Sequence, residues 1–301
     1  MKIVTLPYDT APTADGHHPA ARRSRPDERR RLDLLEPNHV RAPYALCFVH
    51  GGGWRSGDRA QWHEQMRAAA GRGVTSASLG YRVGGRLAEM TADVADGYRT
   101  LRRRLGDRPV ALVGSSAGAH LATLFALSGH GAGHQDGHPD GHQGPRGGHP
   151  DGEAPLACVS LNGPGTPFPW EGMHPEIAPA VEELAAEGGR AADPGTLAHA
   201  GAPPFLFVVV GRERYFPHAH VHALAAILPS ARVVTLPRAE HGFFYRTAAE
   251  GAAAAQAEID AFLTAALTAS STRTGASSSS ADSGHSPVRT MSAKRRSDGS
   301  V

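Results

Sequence analysis

Val110-Ala111-Leu112-Val113-Gly114-Ser115-Ser116-Ala117-Gly118-Ala119-His120-Leu121-Ala122 decides how this chain is read. Four apolar residues run into Gly-Ser-Ser-Ala-Gly, and an alanine- and leucine-rich stretch follows. That pattern predicts a strand, a sharp turn and a helix, with a G-x-S-x-G turn that lifts the central serine, Ser116, out of the chain path. Gly114 and Gly118 leave space for the turn and for close packing of the helix on its strand. Ser116 is therefore the candidate nucleophile.

Upstream, the apolar run 45–49 leads directly into His50-Gly51-Gly52-Gly53-Trp54. A glycine run at the carboxyl edge of a buried strand can turn backbone N–H groups toward an anionic oxygen, which is the requirement for stabilising a tetrahedral acyl intermediate. Gly52 and Gly53 are the expected donors, joined by the N–H of Ala117, the residue after the nucleophile. His50 is read as a brace for this loop.

Further short runs at 74–79, 110–113, 157–161, 205–210 and 233–236 are free of charge and mostly apolar, with small hydroxyl residues as their polar positions, as suits strands buried on both faces of a parallel sheet. Residues 32–35 add an earlier strand, and 3–6 a weaker one. Helical stretches are expected at 60–70, 89–105, 116–127, 178–187, 218–228 and 248–267. Alternation of this kind predicts an α/β domain, with helices on both faces of a mostly parallel sheet. Its expected span is 30–268, preceded by a partly flexible segment at 1–29.

Two segments lack the apolar content of a core. Residues 129–154 consist largely of Gly, His, Pro, Asp and Gln and repeat Gly-His-Pro-Asp-Gly, so a flexible insertion is expected. His130, His134, His138 and His142 recur every four residues there. The glycines and prolines between them oppose a helix, and no metal site is assigned. The Ser-rich residues 269–301 read as a disordered tail.

Charge and composition narrow the class of partner. A formal net charge of +2 over 301 residues gives no reason to expect nucleic acid or an anionic membrane. The six arginines between Arg22 and Arg31 form a local basic run, read as solvated and partly flexible. No stretch approaches the roughly 18 apolar residues of a membrane span, and the first residues lack a signal-peptide pattern. Cys47 and Cys158 lie inside apolar runs and read as small buried hydrophobes. The expected location is the cytoplasm.

A serine nucleophile needs a base and an orienter. Among 18 histidines, His241 stands out because it follows the last expected strand and precedes the last helix. The acid should follow the strand at 205–210, where Gly211-Arg212-Glu213-Arg214-Tyr215-Phe216-Pro217 holds a single carboxylate, Glu213. Glu240 is the other nearby acid, but it adjoins His241 and is poorly placed to reach its own neighbour's ring.

With these pieces in order, the chain resembles the α/β-hydrolase superfamily, in particular its hormone-sensitive-lipase-like, feruloyl-esterase-like and kynurenine-formamidase-like members. The resemblance is carried by Leu32-Asp33-Leu34-Leu35-Glu36-Pro37, the His50 to Trp54 run, Gly80-Tyr81-Arg82 and Asp93-Val94. It continues through Gly114 to Gly118, Pro203-Pro204-Phe205-Leu206 and His241-Gly242-Phe243. It implies Ser116 as nucleophile and His241 as base, with Gly52, Gly53 and Ala117 as the oxyanion hole. It also implies an aspartate three residues after Gly211, where this chain has Arg214; with one residue deleted before Pro217 the acid falls on Glu213. Residues 162–203 would form a small cap, and Trp54, Phe168, Trp170 and Phe243 are the expected substrate-contacting side chains. The implied activity is hydrolysis of a small carboxylic ester without a cofactor. Aryl formamide hydrolysis and a non-catalytic ligand-binding relative are the alternatives.

Overall fold

The structure is a computed structural model that describes residues 1–8, 28–128 and 154–279, with side chains described to 272. The insertion expected at 129–154, apart from Ala154, and the tail beyond 279 lie outside the described residues, as do 9–27.

Eight strands form one sheet: β1 (Val4–Pro7), β2 (Arg31–Leu35), β3 (Ala45–Val49), β4 (Thr75–Leu79), β5 (Val110–Ser115), β6 (Cys158–Leu161), β7 (Phe205–Arg212) and β8 (Ala231–Glu240). Their order is β1-β2-β4-β3-β5-β6-β7-β8. β2 runs antiparallel to β1 and to β4, and the pairings from β4 through β8 are parallel. The helices are α1 (His63–Gly71), α2 (Leu87–Leu105), α3 (Ala117–Leu127), α4 (Ala178–Gly188), α5 (His218–Ile227) and α6 (Ala252–Ser279). The expected architecture, a mostly parallel sheet covered on both faces, is the one observed.

Strand periodicity explains why the apolar runs are unbroken. Ala45, Cys47 and Val49 pack into one core with Leu121 of α3, Tyr98 of α2 and Val181 of α4. Their neighbours Leu46 and Phe48 enter a second core with Met66 of α1 and Ile259 of α6. Successive side chains point to opposite faces, and both faces are covered, so β3 has no solvent-facing position for a polar side chain. β7 repeats this split, with Phe205, Phe207 and Val209 on one side and Leu206, Val208 and Val210 on the other.

Several boundaries depart from the sequence reading. The stretch expected to open a helix at 60 begins as a 3-10 turn at Arg59–Trp62, capped by the Asp58 side chain on Ala60 N. α6 runs to Ser279, past the point where a tail was expected. The end of the basic run is not a solvated face. The Arg30 Nε–H donates to Asp93 at 2.8 Å, and the fully buried Asp93 also accepts from the Arg82 Nε–H at 2.8 Å. A buried carboxylate requires such partners, and here they tie the approach to β2 onto α2. No helix among the described residues is long and apolar enough to cross a membrane.

Candidate active site

The carboxyl ends of β3, β5, β6, β7 and β8 converge, as parallel sheets bring their strand ends to one edge. β5 passes into α3 through Ser116, whose φ of 55° and ψ of −124° lie outside the usual regions for a side-chain-bearing residue. The turn is held by close contacts at its glycines. A Cβ on Gly118 would sit 2.3 Å from the carbonyl oxygens of Val49 and His50, and one on Gly114 would meet Gly118 O at 2.5 Å.

The loop after β3 turns through Gly52 and Gly53, with φ of 121° and 58°. A Cβ on Gly52 would strike the Ser56 carbonyl, whereas Gly53 faces open space. The N–H groups of Gly52, Gly53 and Ala117 have no acceptor among the described residues. The loop is fixed from behind. His50, pushed down to about 4 by burial and thus neutral, donates Nδ1–H to Gly51 O at 2.8 Å and stacks on Tyr81 at 4.2 Å. The Gly51 N–H donates to the Tyr245 hydroxyl at 2.7 Å.

His241 stands just past β8 and joins two partners. Its Nδ1 lies 3.0 Å from both Glu213 oxygens, and its Nε2 lies 2.9 Å from Ser116 Oγ. A carboxylate only accepts, so Nδ1 carries the proton, which leaves Nε2 free to accept from the Ser116 hydroxyl. Glu213 is buried, and burial by itself would raise its carboxyl. The bonds from His241, from the Tyr215 N–H and from Asn162 outweigh that and hold it below the usual carboxylate range. Glu240 makes no contact of this kind; it is exposed and paired with Arg212 at 2.9 Å. A register shift between Val210 and Arg212 of β7 accompanies the altered spacing after Gly211. Arg214, at the position where the resemblance implies aspartate, is exposed, with its guanidinium 3.8 Å from the Glu176 carboxylate.

Three of the four expected substrate-contacting residues cluster. Trp54, Phe168 and Trp170 are almost wholly buried around Phe216, whose ring lies 5.8 Å from that of His241. Phe243 does not join them. It packs in the opposite core against Phe244 and lines the cleft on that side of His241. The segment expected as a cap places α4 against the core shared with α2 and α3. A charged cleft of about 880 Å³ lies beside His241, lined by Tyr245, Phe243, Arg67 and Arg246 among others. A smaller hollow of about 380 Å³ is lined by Glu213, Trp170 and Phe216 among others.

Sequence reasoning missed Asn162, Tyr245 and Phe216. Asn162 immediately follows a parallel strand, a position that could have marked it. Tyr245 reaches the site only through tertiary packing, and no local pattern points to it.

Comparison with known proteins finds esterases among those similar to this chain. The family model described as BD-FAE matches residues 32–141. A probable isoprenylcysteine alpha-carbonyl methylesterase of Oryza sativa subsp. japonica is 34% identical over 102 residues, covering 31% of this chain and 25% of that one. An esterase of Mycobacterium tuberculosis is 28% identical over 246 residues, covering 75% and 55%. The chain thus spans from a quarter to about half the length of these two relatives. Among solved structures, a propionate-bound esterase from Thermogutta terrifontis aligns with a TM-score of 0.54 at 25% identity, over 71% of this chain and 80% of that one. Esterase B from Lactobacillus rhamnosis shares the fold with a TM-score of 0.68 at 19% identity, over 84% and 86%.

Proposed function

We propose that this chain, a member of the α/β-hydrolase superfamily, is a serine hydrolase of small carboxylic esters, with Ser116, His241 and Glu213 as its catalytic triad. The observation that carries the reading is the continuous hydrogen-bonded line from Ser116 Oγ through His241 to Glu213. In the reaction, His241 Nε2 takes the Ser116 proton as Oγ attacks the ester carbonyl carbon. The oxyanion accepts from Gly52, Gly53 and Ala117. The carbon–oxygen bond to the alcohol then breaks, and His241 returns its proton to the departing oxygen. Water, deprotonated by the same nitrogen, attacks the acyl-serine and releases the acid.

A short acyl group is the preferred class, supported by the propionate in the Thermogutta esterase. No cofactor enters these steps. Residues 30–268 form the catalytic unit, with the aromatic cluster from 162–203 as a wall behind Phe216. The unpaired, buried thiols of Cys47 and Cys158 support a cytoplasmic setting. The test is hydrolysis of p-nitrophenyl acetate and butyrate by wild type and Ser116→Ala, with mass spectrometry after a p-nitrophenyl phosphonate. Turnover that vanishes in Ser116→Ala, and one phosphonyl adduct on Ser116, are expected. Equal rates for the two proteins would refute the proposal.

A further inference from the structure

Asn162 follows β6 directly, between the nucleophile and the acid. The Leu161 carbonyl accepts the Ser116 N–H at 2.9 Å, and the Asn162 N–H donates to Val208 O of β7 at 2.9 Å. Its side chain then reaches Glu213, with the Nδ2–H donating to Oε2 at 3.3 Å. The two carboxylate oxygens are held differently. Oε1 accepts backbone N–H groups, including that of Tyr215 at 2.9 Å. Besides His241, the partner of Oε2 is Asn162.

This residue carries two local costs. Its φ is 52°, in the left-handed region that disfavours a side chain. Its buried Oδ1 has no hydrogen-bond donor among the described residues, a state that folded proteins avoid. Among the described non-glycine residues, positive φ occurs at Trp54, Ser116 and Asn162, that is, in the oxyanion loop, at the nucleophile and here. A glycine at 162 would remove both costs, so the amide must return something that a plain turn does not need.

We propose that Asn162 is a positioning residue for the reaction, holding the Glu213 carboxylate in the orientation that presents both oxygens to His241 Nδ1. A glutamate has one more rotatable bond than the aspartate that the resemblance implies. The Oε1 bonds fix one oxygen but leave the carboxylate free to swing about it, and Asn162 stops that rotation. The inference rests on the reading of Glu213 as triad acid.

The experiment is a double-mutant cycle in the full-length chain, with kcat and KM measured on p-nitrophenyl acetate for wild type, Asn162→Gly, Glu213→Ala and the double variant. Glycine accepts the backbone angle, so thermal melting of Asn162→Gly should match or exceed wild type. Its kcat should fall about 10-fold, the low end of the range for one lost hydrogen bond to a charged group, as the 3.3 Å length implies, with KM changed less than about twofold. In the Glu213→Ala background the same substitution should cost nothing further. An unchanged kcat in Asn162→Gly, or an equal loss in both backgrounds, overturns the positioning role alone. An unchanged kcat in Glu213→Ala overturns the triad reading, and the positioning role with it.

Discussion

Replacing Glu213 by Gln tests the least expected part of the site with almost no change in shape. Both carboxylate oxygens lie 3.0 Å from His241 Nδ1, and the side chain is only 7% exposed. When His241 takes the serine proton, an imidazolium forms about 4 Å from the carboxylate charge, worth about 4 kcal/mol at an effective dielectric near 20. His241 is 17% exposed, so solvent removes part of this and about 3 kcal/mol remains as a working figure. At about 1.4 kcal/mol per decade this predicts a kcat loss on the order of 10²-fold. A glutamine amide that donates to Nδ1 would also move the imidazole proton to Nε2, facing Ser116, and deepen the loss toward ~10³-fold. Stopped-flow hydrolysis of p-nitrophenyl butyrate reads the effect, and Glu240→Gln is the control, expected within about twofold of wild type because that ring contact is absent. The stability consequence has a fixed sign. A carboxyl held low in the folded state stabilises above its unfolded value of about 4.3 and loses that contribution as pH falls through the lowered folded value. The melting difference between wild type and Glu213→Gln should therefore shrink below about pH 4. A Glu213→Gln enzyme within threefold of wild type would refute the reasoning.

Tyr245→Phe removes the acceptor for the Gly51 N–H and leaves that group unpaired, at a cost of about 1–3 kcal/mol. Melting should drop accordingly, and kcat should fall about tenfold as the glycine loop loosens, short of the ~10²-fold expected for loss of a whole oxyanion donor; unchanged kcat would sever Tyr245 from the loop. His120 is pushed by burial from 6.5 to about 4, so between those values the unfolded chain binds a proton that the folded chain refuses. Stability should fall as pH drops through that window, by about 3 kcal/mol for this residue, and urea midpoints of His120→Gln should show a shallower slope; parallel slopes would contradict it. Gly118→Ala drives a Cβ to 2.3 Å from two backbone carbonyls and should abolish soluble, folded protein, whereas Gly53→Ala meets open space, bears only the left-handed strain of its backbone, on the order of 1–3 kcal/mol, and should fold with lowered stability and depressed kcat. Circular dichroism and kcat on the same samples separate the two, and equal stability would show that the helix-to-strand contact can yield.

The fold was legible because burial on both faces leaves an unusually plain signal. Runs such as 45–49 and 205–210 are apolar at every position, and they became strands with alternate residues in two cores. Boundaries were less legible where a tertiary partner decides them. β8 extends through polar residues to Glu240, because pairing of Glu240 with Arg212 across the irregular end of β7 holds it there. Arg30 looked like one of a solvated run because nothing local reveals that Asp93 lies buried and waiting for it. Motif spacing singled out Ser116 and His241, which the structure brings to within 2.9 Å of each other. Their partners Asn162 and Tyr245 lie on separate elements and make contact only through the folded sheet edge. Phe243 packs in the core against Phe244 and also lines the cleft beside His241, a double placement that adjacency in sequence does not reveal.

The strained positions show why these elements meet where they do. Left-handed backbone at a side-chain-bearing residue costs on the order of 1–3 kcal/mol, so a chain selected for stability alone would place glycine at each such point. Here Trp54, Ser116 and Asn162 retain their side chains. Ser116 must expose an oxygen to His241, and Trp54 must turn the glycine loop while its ring fills the space beside His120 and Phe168. Asn162 completes the set on the acid's side, with its amide against Glu213. The surrounding sheet can bear these costs because its inner strands β3 to β7 are paired on both sides and largely buried, so the strain is confined to the edge where Ser116, His241 and Glu213 meet. On the proposed reading, in which Glu213 takes the place of a shorter acid, its extra rotatable bond must be fixed, and the third strained residue is the one in contact with it.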